Sequence, residues 1–205
     1  MSCGIDEAGR GPVIGPMVIS IVCGDDKLLK ETGAKDSKKL SPDRREYLYG
    51  IIVKNFYFKY RILTAADLNR RMETETLNEI EMDEVCLLAE GQTEPIYVDC
   101  FDVIEKRAED ILRYRTGREI ICRHKADEIY PAVSAASIIS KVIRDREIVK
   151  IEEKYGYFGS GYPSDDRTIA FLRDAISSRK DISEIVRTKW KTYKNLLQAD
   201  AQSHL

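Results

Sequence analysis

The sequence is poor in histidine, with two residues among 205, His124 and His204. Histidine-rich metal sites and a Ser-His-Asp triad therefore have almost no residues to draw on, and any bound metal would be held by oxygen. The five cysteines are odd in number and never form a CxxC pair, which argues against a disulfide framework and against a zinc knuckle. We expect reduced and mostly buried thiols.

Long apolar runs are also missing. No run reaches the roughly 20 residues that a membrane span needs, and Asp6, Glu7 and Arg10 lie where a signal peptide would have its apolar region. We therefore expect a soluble, cytoplasmic protein that has no membrane partner and acts as a monomer. The pattern GxxxxGK[ST] is absent, which excludes a nucleotide-hydrolysing P-loop.

The composition fits a folded enzyme but conceals its charge pattern. Hydrophobic residues make up 43% of the chain, which is too apolar for a disordered protein. The formal net charge of −2 does not indicate a nucleic-acid-binding protein. Residues 73–84, however, carry six acids and no base, and we expect them to face away from any nucleic acid. Four bases gather near the C-terminus without an acid, namely Arg187, Lys189, Lys191 and Lys194.

Hydrophobic periodicity and turn signals divide the chain into alternating strands and helices. The predicted strands are residues 3–6, 13–23, 56–63, 95–99 and 118–123, and the predicted helices are residues 41–55, 74–90, 103–114 and 131–155. A glycine-bearing turn at Gly9-Arg10-Gly11-Pro12 favours a hairpin between the first two strands. The later alternation indicates parallel crossovers and an α/β fold. A boundary near residue 155 divides the chain into residues 1–155 and 156–205.

Four carboxylates are candidates for a metal site because each lies at the end of a predicted element: Asp6, Glu7, Asp99 and Asp127. Carboxylates crowded at one sheet edge repel one another unless a divalent cation neutralises them, and an all-oxygen set favours Mg²⁺ or Mn²⁺. An Asp at a strand end is, taken singly, more often a turn former or a cap. Neighbours in a regular strand also point to opposite faces, so we expect the strand to end or bulge at Asp6 and Glu7.

Other polar residues have a functional and a structural interpretation. Gly9-Arg10-Gly11 either lets a phosphate approach the backbone or forms an ordinary hairpin turn. The basic stretch Asp36-Ser-Lys-Lys and Arg44-Arg45 either contacts phosphates or is solvated surface. Tyr162 and Trp190 either stack on a sugar or base or pack against the protein. His124 is more typical of a surface group than of a catalytic base.

Six motifs occur in order along residues 4–194: Gly4-Ile-Asp6-Glu7-Ala-Gly9-Arg10-Gly11-Pro, Asp36-Ser-Lys-Lys-Leu-Ser41, Tyr97-Val-Asp99, His124-Lys-Ala-Asp127, Ser134-Ala-Ala-Ser137-Ile-Ile-Ser-Lys141 and Gly159-Ser-Gly-Tyr162-Pro-Ser-Asp. Together they resemble type 2 ribonuclease H, ribonuclease HII, of the archaeal kind. The sequence departs from the family at Phe101, where relatives have proline, which leaves open whether Asp102 shares the role of the acids. Whether His124 assists is also open.

The resemblance implies a ribonuclease H-like fold, with a mixed five-stranded sheet flanked by helices and a small helical C-terminal region that holds the substrate. It implies that the metal-binding, catalytic acids are Asp6, Glu7, Asp99 and Asp127. The implied contacts to the ribonucleotide 2′-OH and the nearby phosphates and sugar are made by Gly9, Arg10, Gly11, Lys38, Lys39, Ser137, Lys141 and Tyr162.

The implied reaction is two-metal-ion hydrolysis with Mg²⁺ or Mn²⁺, which leaves 5′-phosphate and 3′-OH ends. The implied substrates are RNA·DNA hybrids and DNA duplexes with embedded ribonucleotides, and a sliding clamp is a possible partner. Two alternatives stay open from the residues themselves. One is a DNA junction resolvase or transposase-like nuclease with a similar acidic cluster, and the other is a non-catalytic nucleic-acid-binding module.

Overall fold

Five strands form one mixed sheet. In chain order they are β1 (Ser2–Ala8), β2 (Met17–Gly24), β3 (Tyr57–Leu63), β4 (Ile96–Asp99) and β5 (Ile120–Arg123). The computed structural model describes residues 1–34 and 40–203, and the strand order in the sheet is β3-β2-β1-β4-β5. Strand β1 is antiparallel to β2 and parallel to β4, and β4 is parallel to β5. The predicted mixed α/β fold is confirmed.

Helices flank the sheet. They are α1 (Asp26–Glu31), α2 (Pro42–Asn55), α3 (Ala65–Arg71), α4 (Leu77–Ala89), α5 (Glu105–Thr116), α6 (Ala126–Ile129), α7 (Pro131–Tyr155), α8 (Asp166–Ser177) and α9 (Lys191–Ser203). The four predicted helices correspond to α2, α4, α5 and α7. Helix α2 begins as expected, because the Ser41 side chain accepts a hydrogen bond from the Arg44 amide and Pro42 occupies the first turn. Among the described residues, no helix is long and apolar enough to cross a membrane.

The chain divides into two compact units. The first consists of Met1–Ala8, Val18–Arg61 and Thr76–Ile143, and the second of Gly9–Met17, Ile62–Glu75 and Arg144–Leu205. Within the second unit, apolar side chains of the β1–β2 connection pack with those of the C-terminal segment, including Val13, Ile14, Phe158, Leu172 and Val186. The functional division at residue 155 stays a prediction.

The predicted ends of the first two strands were wrong. Strand β1 does not end or bulge at Asp6, since Asp6 pairs with Ser20 and Glu7 with Ile19 in the regular antiparallel ladder. Strand β2 begins at Met17 rather than at residue 13, because Gly15 adopts φ 89° and interrupts the extended run. Ile14 instead forms an isolated antiparallel bridge with Val186.

One disulfide corrects the expectation of reduced thiols. Cys3 and Cys23 face each other across the β1–β2 ladder and are joined by a disulfide bond. Their separation of 20 residues gave no indication of this pairing, which depends on the register of the hairpin. Among the described residues, Cys86, Cys100 and Cys122 are free thiols, and Cys122 is buried.

The burial of some residues in α7 and in the charged segments also differs from what the sequence pattern suggests. Helix α7 buries Ala135, Ile138, Ile139 and Val142 as expected, but Val149 is 53% exposed. Arg187, one of the four bases near the C-terminus, is completely buried, and Glu81 and Glu84 of the acidic segment are buried as well. Glu84 accepts a hydrogen bond from Arg61 Nε at 2.7 Å, and Arg115 pairs with Asp83. A count of charges along the chain could not reveal these partners.

Candidate active site

The parallel pairing of β1 and β4 brings two of the candidate carboxylates to the same edge of the sheet. Ile5 pairs with Val98, and the next residue on each strand is Asp6 on β1 and Asp99 on β4. Asp6 is buried, with 5% of its surface exposed, whereas Asp99 is half-buried. The sequence placed these two carboxylates together correctly, since β4 ends at Asp99 and Asp6 lies two residues before the end of β1.

The electrostatic environment of Asp6 is unfavourable for a charged carboxylate. Burial raises the pKa of Asp6 well above its usual range, and the neighbouring carboxylates of Glu7 and Asp99 raise it further. Hydrogen bonds from Ser137 and from the Glu7 amide, the latter at 2.7 Å, oppose this rise without cancelling it. The protein alone therefore does not compensate the charge on Asp6.

A hydrogen bond links Asp99 to the segment that carries Asp127. The Ala126 amide donates a hydrogen bond to Asp99 Oδ1 at 3.0 Å, at the start of helix α6. Lys125 precedes that helix in a left-handed conformation with φ 57°, which turns the chain out of β5 and into α6. Asp127 is 7% exposed and lines a cavity of about 330 Å³ together with Ser134, Tyr130 and other residues of the first unit.

Helix α7 fixes the position of Asp6 from the neighbouring layer. Ser140 Oγ donates a hydrogen bond to the Asp6 carbonyl at 2.9 Å and lies 2.8 Å from Ser20 Oγ, and Ser20 Oγ also lies 2.8 Å from the Ala136 carbonyl. Ser137, predicted as a substrate contact, is buried and donates a hydrogen bond to Asp6. Lys141 follows on the same face of the helix and is half-buried. Sequence reasoning did not assign Ser140 a role, although its spacing from Ser137 was a helical signal.

The donor chemistry of this site fits a divalent cation. Within residues 1–34 and 40–203, no three His, Cys, Asp or Glu side chains are gathered into a formed metal cluster. Three carboxylates nevertheless interact at the end of β1, and the pKa of the buried one is raised by burial and by the other two. A bound cation would remove this electrostatic cost, and oxygen ligands are those that Mg²⁺ and Mn²⁺ prefer.

The predicted substrate loop lies in the second unit. Gly9 adopts φ 85°, and a Cβ there would come within 2.2 Å of Arg144 Nε. At Gly11 a Cβ would lie 3.3 Å from the Tyr162 ring, so the predicted sugar-stacking residue packs beside the predicted phosphate loop. The Val13 amide donates to the Gly161 carbonyl at 2.8 Å and ties the two segments together. Tyr162 is 42% exposed.

Four other candidates do not join this group among the described residues. Lys38 and Lys39 lie outside the described residues. Asp102 is buried in an ion pair with Arg107 and accepts the Ile104 amide at 2.9 Å, so its side chain stabilises the start of α5. His124 is exposed, and its ring nitrogens lie within 3.4 Å of two backbone carbonyls.

A mixed five-stranded sheet of this order, flanked by helices, is the ribonuclease H-like fold. The model of the family described as Ribonuclease HII matches residues 3–193. The chain therefore belongs to the ribonuclease HII family, whose members are metal-dependent endoribonucleases of the ribonuclease H type.

Individual relatives support this assignment. A ribonuclease HII from Thermoplasma volcanium is 58% identical over 96% of this chain and 92% of its own length. The structure of the PCNA:RNase HII complex from Archaeoglobus fulgidus matches with a TM-score of 0.90 at 46% identity, over 96% of both chains. Ribonuclease H2 from Pyrococcus horikoshii matches with a TM-score of 0.90 at 39% identity, over 98% of this chain and 99% of that one.

More distant structures share the fold alone. Bst-RNase HIII in complex with Mn²⁺ matches with a TM-score of 0.79 at 19% identity, over 98% of this chain and 70% of that one.

Proposed function

We propose that the chain hydrolyses the RNA strand of RNA·DNA hybrids and incises DNA duplexes on the 5′ side of embedded ribonucleotides. The observation that carries this proposal is the buried Asp6, whose pKa is raised by burial, by Glu7 and by Asp99. Divalent cations would compensate the carboxylate charges at such a site, and a polyanionic substrate would bind together with those cations. The corresponding roles are the removal of ribonucleotides from DNA and of RNA primers. Family membership weighs against both alternatives, the junction resolvase and the non-catalytic binding module.

The proposed metal ligands are the four acids Asp6, Glu7, Asp99 and Asp127, which would hold two Mg²⁺ or Mn²⁺ ions. When bound, such ions would lower the pKa of the attacking water and stabilise the negative charge that develops on the leaving 3′ oxygen. The chain itself orients the ligands. Ser140 and Ser137 hold Asp6, and the Ala126 amide holds Asp99. No histidine base is needed.

Recognition of RNA must depend on the 2′-OH, the group that distinguishes the RNA backbone from the DNA backbone. We propose that Gly9, Arg10 and Gly11 contact this hydroxyl and the adjacent phosphate, and that Tyr162 packs on the following sugar. Ser137 and Lys141 lie on the α7 face beside Asp6 and are proposed phosphate contacts, Ser137 in addition to its bond to Asp6. The same proposed role for Lys38 and Lys39 depends on the sequence alone.

A sliding clamp is the proposed protein partner. The Archaeoglobus fulgidus relative, 46% identical to this chain, was solved in a complex with PCNA. We propose that the chain binds a clamp of this kind as a monomer. Co-elution of the chain with the clamp in gel filtration would support this partner, and separate elution at micromolar concentrations would count against it.

The chemistry of the product ends tests the reaction. Cleavage of an RNA·DNA hybrid should leave 5′-phosphate and 3′-OH ends, because water is the nucleophile. Chelation of divalent ions by EDTA should stop the reaction, and excess Mg²⁺ should restore it. End-group labelling of the products checks the first expectation. A 2′,3′-cyclic phosphate, or cleavage that persists in EDTA, would show attack by the 2′-OH itself and contradict the proposal.

Replacement of Tyr162 tests the sugar contact. Tyr162→Ala should lower the rate of incision at a single ribonucleotide about tenfold, because stacking of a ring on a nucleotide is worth roughly 1–3 kcal/mol. General duplex binding should change less. Tyr162→Phe is the matched control, since it keeps the ring and should keep most of the activity. An equal loss of incision and of duplex binding in Tyr162→Ala would argue against a stacking role.

A further inference from the structure

The backbone of the glycine-arginine-glycine loop (Gly9 to Gly11) is held by one buried side chain from the C-terminal segment. All three guanidinium nitrogens of Arg187 donate to carbonyls of the β1–β2 connection. Nη2 donates to Gly9 at 2.6 Å, Nη1 to Arg10 at 3.1 Å and Nε to Gly15 at 2.9 Å. Arg187 is completely buried, so its donors serve the protein and not solvent or substrate.

The carbonyl of the third loop residue, Gly11, accepts its hydrogen bond from Trp190. Trp190 Nε1 donates to the Gly11 carbonyl at 3.2 Å, and the Arg187 guanidinium lies 4.8 Å from the centre of the Trp190 ring. The carbonyls of all three loop residues therefore accept hydrogen bonds from these two side chains. Both donors project from the short segment between α8 and α9.

This arrangement determines where the loop amides point. In a planar trans peptide the C=O and the following N–H point in opposite directions. Because the Gly9 and Arg10 carbonyls face Arg187, the Arg10 and Gly11 amides face the opposite side. Two successive amides presented in this way form a concave site for an anion. The surface that would read a phosphate or a hydroxyl is thus shaped from behind by Arg187.

The donor segment is itself fixed by hydrogen bonds within the second unit. The Arg187 amide donates to the Val13 carbonyl at 2.9 Å. Asn69 of helix α3 donates to the Val186 carbonyl at 2.8 Å and accepts the Thr188 amide at 2.7 Å. The residues on both sides of Arg187 are therefore held in place, and the guanidinium cannot follow the loop if the loop moves.

We propose that Arg187 and Trp190 are positioning residues for ribonucleotide recognition, which hold the Arg10 and Gly11 amides in the orientation that binds the ribonucleotide. This inference rests on the proposed function. Lys cannot replace Arg187, because a single ammonium group cannot reach three divergent carbonyls as a planar guanidinium does. Trp190→Phe removes one donor and keeps an aromatic ring beside Arg187.

Equilibrium binding separates this role from a general structural one. The affinities of the full chain for a duplex with one ribonucleotide and for the matched all-DNA duplex are measured by fluorescence anisotropy, with Ca²⁺ in place of Mg²⁺ to prevent cleavage. The preference is the ratio of the two dissociation constants. It should fall about tenfold in Arg187→Lys and about threefold in Trp190→Phe, the loss expected for charged and neutral hydrogen bonds. Arg173→Lys, an exposed change on α8, is the matched control.

Each outcome of this measurement decides the inference. A lower preference with unchanged all-DNA affinity supports it. An unchanged preference in Trp190→Phe and Arg187→Lys overturns it, as does an equal loss of affinity for both duplexes, which would indicate general damage to the fold. If the unmodified chain shows no preference for the ribonucleotide duplex, the proposed function fails first and the inference fails with it.

Discussion

Replacement of Asp6 by Asn should abolish cleavage and at the same time make the metal-free protein more stable at neutral pH. The loss of activity follows from the proposed role of Asp6 as a metal ligand. Loss of several kcal/mol of charge stabilisation in the transition state corresponds to a rate reduction of roughly a thousandfold or more. Single-turnover cleavage of an RNA·DNA hybrid measures it. The corresponding Asp99→Asn change should cause a loss of similar size.

The gain in stability follows from the pKa of Asp6, which is raised by burial, by Glu7 and by Asp99. A carboxyl whose pKa is higher in the folded than in the unfolded state binds protons more tightly when folded, so its contribution to stability falls as the pH rises above the unfolded pKa of about 3.9. Asn carries no charge and avoids this loss. In EDTA at pH 7 the free energy of unfolding of Asp6→Asn should exceed that of the unmodified chain by about 0.5–2 kcal/mol. This is the gain typical of a substitution that removes an unfavourable feature of an active site.

Asp102→Asn is the matched control, because this buried acid has the opposite environment. The hydrogen bond from Arg107 lowers the pKa of Asp102, so the charged carboxylate contributes stability above the unfolded pKa, and this contribution disappears as the pH falls through the folded pKa. The substitution should cost about 1–3 kcal/mol at pH 7 and leave the cleavage rate close to that of the unmodified chain.

Urea unfolding of both variants in EDTA at pH 7 and near pH 4 measures these differences. The gain in Asp6→Asn should shrink at the lower pH, because the penalty from the raised pKa of Asp6 builds up only above the unfolded pKa of about 3.9. Most of the cost of Asp102→Asn should remain near pH 4, because the pKa of folded Asp102 lies below its unfolded value. If Asp6→Asn retains metal-dependent cleavage, or Asp102→Asn loses it, the assignment of the acids is wrong.

Gly4→Ala should destabilise the fold by at least about 4 kcal/mol, a loss that marks a severe steric conflict. A Cβ on Gly4 would lie 2.1 Å from the Val133 amide nitrogen and 2.2 Å from the Ala132 carbonyl carbon, both in the backbone of α7. Backbone atoms cannot turn aside as the end of a side chain can, so the helix must move away from β1. That movement would also disturb the bond from Ser140 to the Asp6 carbonyl.

Gly50→Ala is the control for the Gly4 prediction. Gly50 lies within α2, and a Cβ there meets nothing within 4 Å. Alanine should therefore stabilise the protein by about 0.5–1 kcal/mol through its higher helix propensity. Chemical denaturation of the two variants measures both effects. A Gly4→Ala protein within about 1 kcal/mol of the unmodified chain would show that α7 does not pack on β1 as closely as described.

The sequence could predict the elements of the fold because they depend on local signals. Alternating residues marked β3, and Ser41 with Pro42 marked the start of α2. The four acids were predicted because each follows an apolar strand or precedes a helix. Their metal-binding role, like every substrate contact, remains a proposal supported by the motifs and by the environment of Asp6.

Features that depend on pairing between distant segments could not be predicted. The disulfide between Cys3 and Cys23 requires the hairpin register, and the buried state of Arg187 requires the contact of its segment with the β1–β2 connection. Arginine is almost never fully buried unless it is paired, so composition gave no indication that Arg187 is buried. Asp102 differs from Asp99 for a local reason, because Arg107 in the first turn of α5 pairs with it.

Cleavage of a DNA duplex that contains one ribonucleotide, compared with the matched all-DNA duplex, tests the central claim most directly. With Mg²⁺ or Mn²⁺ present, the chain should incise the first duplex once, on the 5′ side of the ribonucleotide, and leave the second intact, because the 2′-OH is the only difference between them. Equal cutting of both duplexes, or no cutting of either under conditions in which the protein is folded, would contradict the proposed recognition of the ribonucleotide.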